Sequence, residues 1–246
     1  MSGATKLDDV RRRGRLLVKI CGITTPEDAQ HAVSAGADAV GFVFWFMSPR
    51  KVDPARAAAI AHELPTSVLR VGVFVDAPRD EMLRISDEVG LDLLQLHGEE
   101  SLEALADLPR PALKAVRVGK HFTAAEALRY ADRAAGVVVD TRLPGETQLP
   151  GGTGVPFDWS LVAELADRVG FLMLAGGLSP ENVAQAVRAV RPHAVDVSSG
   201  VERMPGRKDP ARVKAFVEAA RAVEAELGPG AFAARAARAP GRSGTK

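Results

Sequence analysis

Eight short, β-branched apolar runs recur along the chain at steps of about 25 residues, room for one strand, one helix and two short loops. They are Leu16–Ile20, Ala39–Phe44, Val68–Val75, Leu91–Leu96, Ala112–Val118, Gly136–Val139, Phe171–Ala175 and Ala194–Val197. Each is followed by an Ala- and Leu-rich stretch with helical spacing. The runs are nearly continuous rather than alternating, as expected of parallel strands covered by helices on their outer face. Helix starts are marked by Thr25-Pro26-Glu27-Asp28, Asp53-Pro54, Ser179-Pro180-Glu181 and Asp209-Pro210, each a capping residue before a proline at the first helical position. Eight βα units allow a closed barrel or an open doubly wound sheet. Equal, uninterrupted units favour the closed form, so the expected fold is α/β, a (βα)8 TIM barrel in a single domain. A chain of 246 residues matches the roughly 250 that such a barrel uses.

Composition narrows the rest. Hydrophobic residues make up 46% and charged residues 26%, which suits a globular core and rules out disorder of the whole chain. No apolar run approaches the roughly 18 residues of a membrane span, and the start lacks the apolar region of a secretory signal. One cysteine excludes a disulfide scaffold. These features predict a cytoplasmic protein with no membrane partner. The net charge of +1 hides an asymmetry. Lys6, Arg11, Arg12, Arg13 and Arg15 outnumber Asp8 and Asp9 at the start. Arg235, Arg238, Arg242 and Lys246 stand without an acid at the end, so the body between is acidic. Composition therefore reads 1–14 and 229–246 as flexible basic tails around a barrel at 15–228. Deleting the tails is expected to leave catalysis nearly intact.

In a barrel the reactive groups lie past the C-terminal ends of the strands. There the chain places Cys21-Gly22, Trp45 to Arg50, Asp76, His97-Gly98, Asp140-Thr141, Gly151-Gly152-Thr153-Gly154, Gly176-Gly177 and Ser198-Ser199-Gly200. The three glycine-rich turns after strands 6, 7 and 8 could aim backbone N–H groups at one phosphate. The candidates are Gly152, Gly176, Gly177, Ser198, Ser199 and Gly200. A lone Cys21 reads as a small buried hydrophobe or as a base at the mouth. Asp140 reads equally as a loop brace or a catalytic carboxyl. Together, strands 1 and 6 would set an acid and a base across the mouth. His97 lines the pocket or braces a loop, and Asp196 orients substrate or steadies the interior. His31, His62, His97, His121 and His193 are scattered without metal-ligand spacing, so no metal and no cofactor are expected. The body has no basic, aromatic-interleaved patch for nucleic acid. Dinucleotide and P-loop signatures are absent.

The ordered set Lys19-Ile20-Cys21-Gly22-Ile23-Thr24, Gly41-Phe42-Val43-Phe44 with Ser48-Pro49-Arg50, Gln95-Leu96-His97-Gly98-Glu99, Val139-Asp140-Thr141, Gly151-Gly152-Thr153-Gly154, Ala175-Gly176-Gly177 and Asp196-Val197-Ser198-Ser199-Gly200 resembles the phosphoribosylanthranilate isomerases of tryptophan biosynthesis. The likeness runs in order from about residue 16 to 226 and omits both ends. It implies an Amadori rearrangement of N-(5′-phosphoribosyl)anthranilate, with Cys21 as general base and Asp140 as general acid. It also implies Arg50 on the anthranilate carboxylate, the glycine turns on the phosphate, and a monomer or homodimer. The base must be a thiolate, so the surroundings of Cys21 are expected to lower its pKa. The chain departs from the pattern at Trp45-Phe46-Met47, at Val155-Pro156 and in the long loop before Pro150, which bear on how the site closes. Two other readings are a different phosphosugar-processing barrel and a non-catalytic barrel that binds a phosphate ligand.

Overall fold

The computed structural model describes residues 5–118, 122–140 and 160–233. Eight parallel strands close into a barrel in chain order: β1 (Leu17–Cys21), β2 (Ala39–Val43), β3 (Leu69–Phe74), β4 (Leu93–Leu96), β5 (Ala112–Arg117), β6 (Gly136–Asp140), β7 (Leu172–Ala175) and β8 (Ala194–Val197). Closure is made by β1 pairing with β8, which sets Lys19 beside Asp196. A two-stranded hairpin, β9 (Glu202–Met204) and β10 (Arg207–Lys208), follows β8. Each strand falls within a residue or two of its apolar run, because burial on both faces demands a run without polar interruption.

Helices α2 (Pro26–Ser34), α3 (Pro54–Glu63), α4 (Arg79–Val89), α5 (Ala124–Leu128), α6 (Ser160–Ala166), α7 (Val183–Val190) and α8 (Pro210–Leu227) follow β1, β2, β3, β5, β6, β7 and β8. Thr25, Asp53 and Asp209 cap α2, α3 and α8 through their side chains, as their sequence signals predict. Two expectations differ. After β4 the described chain forms only a 3₁₀ turn, Glu103–Leu105, instead of a helix. Asp107 takes a left-handed conformation (φ 51°) just beyond it, and Pro109 and Pro111 follow, so the segment cannot propagate. Ser179-Pro180-Glu181 forms a turn closed by Ser179 N–H donating to Asn182 Oδ1 at 2.8 Å, and α7 starts later, at Val183.

Side chains divide by parity. Val18, Ile20, Val40, Phe42, Val137 and Val139 belong to the large core between sheet and helices. Leu17, Leu69, Val71, Leu93, Leu113, Val138, Phe171 and Met173 fill the barrel interior.

The start of the chain is not a free tail. Residues 6–13 form a helix, α1, with a capping box in which the Thr5 side chain accepts from Asp8 N–H and Asp8 reaches back to Thr5 N–H. Leu7 is 2% exposed and joins the interior cluster among Leu17, Leu69, Leu93 and Leu113, residues at or near the strand starts. Lys6 pairs with Asp92 just before β4 at 2.8 Å, and Arg11 lies over the Phe171 ring and donates to Ala135 O. So α1 plugs the floor of the barrel. Charge composition misread it because burial of Leu7 and the packing of Arg11 on Phe171 decide where the segment sits, while a charged side chain such as Arg12 stays in solvent whichever way the helix docks. At the other end, Phe232 is also buried against the core, so the chain remains packed past 229; residues 234–246 lie outside the described residues.

A plug at the floor contributes to stability without touching the opposite rim. Leu7→Ala is expected to lower unfolding free energy by about 2–4 kcal/mol, the usual cost of emptying a buried leucine site. Urea titration checks the first effect. An unchanged kcat/KM checks the second.

Candidate active site

Directly above the apolar floor the barrel interior turns polar. Lys19 on β1 is fully buried, with Nζ donating to Asp196 Oδ2 on β8 at 3.0 Å and to Gln95 Oε1 on β4 at 2.9 Å. The Gln95 amide nitrogen lies 2.9 Å from His97 Nδ1, and His97 Nε2 lies 3.1 Å from Asp140 Oδ2 at the end of β6. A hydrogen-bonded chain therefore runs from β8 through β1 and β4 to β6. It joins three residues expected from sequence, Asp196, His97 and Asp140, through Lys19 and Gln95, which had not been singled out. Lys19 carried a usable signal: it is the one polar residue in the strand Leu-Val-Lys-Ile-Cys, at an inward position.

Cys21 closes β1 two residues above Lys19 and packs with Val43, Val73 and Trp45 at the rim. Gly41 on β2 makes this possible. A Cβ there would sit 2.8 Å from Cys21 Sγ and 3.0 Å from Lys19 Cε. Burial pushes the Cys21 thiol above its ordinary range. Lys19 pulls it down, Asp196 adds to the rise and Lys208 opposes it, and the net direction is up. The expected lowering is therefore not met, because removing a thiolate from water outweighs two nearby ammonium groups. Lys19 behaves differently. Burial disfavours its charge, yet Asp196 and Cys21 more than offset that, and it stays charged above its ordinary value.

Arg50 lies over Gly22, whose left-handed backbone (φ 77°) and missing side chain admit Arg50 Cδ and Ser198 Oγ; a Cβ would come within 2.8 and 3.1 Å of them. The guanidinium is already paired, with Nε and Nη2 donating to Glu202 at 2.8 and 2.7 Å. Lys208, buried on β10, also donates to Glu202 at 2.9 Å and to Ser198 O at 3.1 Å. The hairpin thus holds Arg50 in one orientation and leaves its Nη1 side for another carboxylate. Ser198 Oγ and Asp196 Oδ1 are buried and have no hydrogen-bond partner among the described residues. Groups in that state near a rim are waiting for a ligand or water.

The turns after β7 and β8 abut. Gly176 and Gly177 take positive φ values of 81° and 63°. Gly200 packs so closely on Leu178 that a Cβ would meet its carbonyl oxygen at 1.9 Å. The Ser198-Ser199-Gly200 turn thus packs, through Gly200, on the segment just after Gly176-Gly177; Gly152 lies outside the described residues. A last anchor holds the loop that carries His97. Lys114 on β5 donates to Gly98 O at 2.7 Å and pairs with Glu100 at 3.0 Å, and Glu100 in turn accepts from the N–H groups of Gly98 and Asp76. Among the described residues no group of three or more His, Cys, Asp or Glu is placed to hold a metal, and no helix is long and apolar enough to cross a membrane.

A closed (βα)8 barrel with a carboxyl and a thiol on β6 and β1, unpartnered polar atoms between, and glycine turns after β7 and β8 defines a phosphosugar-type barrel enzyme. Comparison with known proteins takes this further. Residues 18–219 match the model of the N-(5′-phosphoribosyl)anthranilate isomerase family. A Pseudomonas fluorescens enzyme of that name is 51% identical over 203 residues, spanning 82% of this chain and 94% of its own. One from Pseudomonas aeruginosa is 52% identical over 204 residues, spanning 83% and 94%. The crystal structure of the Thermotoga maritima phosphoribosyl anthranilate isomerase superposes with a TM-score of 0.78 at 45% identity, covering 84% of this chain and 99% of that one. Another such structure, holding reduced 1-(o-carboxyphenylamino)-1-deoxyribulose 5-phosphate, gives 0.75 at 43% identity, covering 84% and 99%. The chain belongs to the N-(5′-phosphoribosyl)anthranilate isomerase family.

Two buried carboxylates hold this site and its loops. Burial raises both Glu202 and Glu100, but Arg50 with Lys208, and Lys114, more than reverse it, so each lies below its ordinary value of 4.5. A depressed folded value stabilises above the unfolded one and is lost as pH falls through the folded one. Stability is therefore expected to drop as pH falls below 4.5. In Glu202→Gln, urea midpoints measured between about pH 5 and 3 should fall less steeply than in the wild type.

Proposed function

We propose that this chain converts N-(5′-phosphoribosyl)anthranilate to 1-(2-carboxyphenylamino)-1-deoxyribulose 5-phosphate by an Amadori rearrangement, in tryptophan biosynthesis. The observation that carries the reading is the pairing of Asp140 and Cys21 at the rims of β6 and β1 in a barrel of this family. Asp140 delivers a proton to the ring oxygen of the furanose. The bond from that oxygen to C1′ breaks as the anthranilate nitrogen lone pair forms a C=N bond. Cys21, as thiolate, then removes the C2′ proton, giving an enolamine. Protonation at C1′ and loss of the enol proton leave the ketone. Acid and base act on opposite sides of one substrate, so neither need move between steps.

The remaining residues position. Arg50, held by Glu202, offers its other edge to the anthranilate carboxylate. Asp196 Oδ1 accepts from a substrate hydroxyl and Ser198 Oγ donates to a substrate hydroxyl or phosphate oxygen, which answers their lack of partners among the described residues. Gly176, Gly177, Ser199 and Gly200, with Gly152, present backbone N–H groups to the phosphate. His97 lines the pocket beside Asp140. The body of the chain is acidic while the substrate is anionic, so capture relies on these local dipoles and on Arg50 rather than on net charge. In this reading the enzyme works in the cytoplasm as a monomer or homodimer on a small phosphosugar, without nucleic acid or cofactor.

Turnover of the phosphoribosyl anthranilate, followed by loss of its fluorescence, tests the assignment. Cys21→Ser is expected to reduce kcat by about 10²-fold or more, and Asp140→Asn to be close to inactive. Arg50→Ala should raise KM more than it lowers kcat. Wild-type turnover that survives in both of the first two variants would remove the acid/base assignment.

A further inference from the structure

The chain of contacts between Lys19 and Asp140 has a direction. An ammonium group only donates hydrogen bonds. Lys19, pinned by Asp196 at 3.0 Å, therefore faces the oxygen of the Gln95 amide, at 2.9 Å. The NH₂ end of that amide must then be the group 2.9 Å from His97 Nδ1. It too only donates, so Nδ1 presents a lone pair. The ring hydrogen sits on Nε2 and is donated to Asp140 Oδ2 at 3.1 Å. A second hydrogen on Nδ1 would set two donors against each other at 2.9 Å. Lys19 and Gln95 are buried, which keeps water from substituting for either partner.

We propose that Gln95 is a positioning residue that locks His97 in the Nε2–H tautomer and so confines the transferable proton of Asp140 to Oδ1. The proposal rests on the assignment of Asp140 as the general acid. Oδ2 accepts from His97 throughout. As Oδ1 gives up its proton to the ring oxygen of the sugar, negative charge develops on a carboxylate already met by an N–H donor, which needs no reorganisation. The benefit appears only as charge develops, so it acts on kcat rather than on KM. Gln95 touches no reacting atom in this scheme. It works by transmitting the fixed polarity of the Lys19 ammonium to the imidazole, across two strands.

The test uses the full-length ¹⁵N-labelled protein. Two-bond ¹H–¹⁵N spectra of its imidazoles report the tautomer, with His97 identified by its loss in His97→Asn. The wild type should show the Nε2–H pattern. Gln95→Glu replaces the NH₂ donor by a carboxylate oxygen, so Nδ1 should gain a hydrogen. kcat should fall about tenfold or more, with KM changed by less than about threefold. Gln95→Met keeps the volume and removes the amide. It should give mixed tautomers and an intermediate kcat, which serves if the glutamate variant does not fold. A wild-type Nδ1–H pattern, or wild-type tautomer and kcat in a folded Gln95 variant, would overturn the proposal. Because the tautomer is read without turnover, an active Asp140→Asn would remove the acid assignment, and with it the Oδ1 proton, while leaving the His97 pattern in place.

Discussion

A single ammonium group, Lys19 Nζ, sits at the centre of the barrel with no access to water. Left alone there, its charge would cost several kcal/mol. Asp196 and Gln95 meet it, and in doing so they tie β1 to β8 and β4 across the interior. The same charge lies beneath Cys21 and opposes the effect of burial on the thiol. Through Gln95 it also dictates how His97 faces Asp140. Both proposed catalytic groups thus depend on one ion pair placed a layer below them. Asp196 spends only Oδ2 on that pair, and its other oxygen lacks a partner among the described residues. The barrel interior is consequently a packed core that carries polarity upward to the rim.

The two ends of the barrel divide the work. At the floor, α1 drives Leu7 among leucines near the strand starts, and its charged residues fasten it to the segments before β4 and β6. At the rim, every anchor orients something polar. Lys114 and Glu100 hold the His97 loop, Glu202 and Lys208 hold Arg50, and Gly22, Gly41 and Gly200 withhold side chains where others must approach. The buried ammonium groups of Lys19, Lys114 and Lys208 each meet a carboxylate, as burial requires. The glycines matter by their absence of bulk, which lets the thiol, the guanidinium and the β7 and β8 turns come close together.

Much of this was legible before folding. The eight strands, three side-chain caps, the rim positions of Cys21, Arg50, His97, Asp140 and the glycine turns after β7 and β8, and the place of Asp196 inside β8 follow from run spacing and from where each residue stands in or after its run. Three features were not read. Helix α1 carried a capping signal, Thr5 with Asp8, but charge dominated its composition and only the floor of the barrel supplies the pocket for Leu7. The 3₁₀ turn after β4 had its breakers, Pro109 and Pro111, in plain view. Gln95 and Lys114, like Lys19, are polar residues set in apolar strands, but their roles, and those of Glu202 and Lys208, are defined by partners from other parts of the fold.

The amino-acid sequence alone determined the alternation of strands and helices, the barrel class, the family and the chemical types at the rim. These depend on short-range periodicity and on residue order, which the chain carries with it. Only the tertiary structure decided which polar groups meet. Lys19 and Gln95 are 76 residues apart, and Lys19 and Asp196 are 177 apart. They become neighbours because closure of β1 on β8 fixes a register around the whole barrel. The polarity of a hydrogen-bond chain, the direction in which burial moves the Cys21 thiol, and the docking of α1 arise from that closure. They depend on distance and on exclusion of water, and neither exists until the barrel is shut.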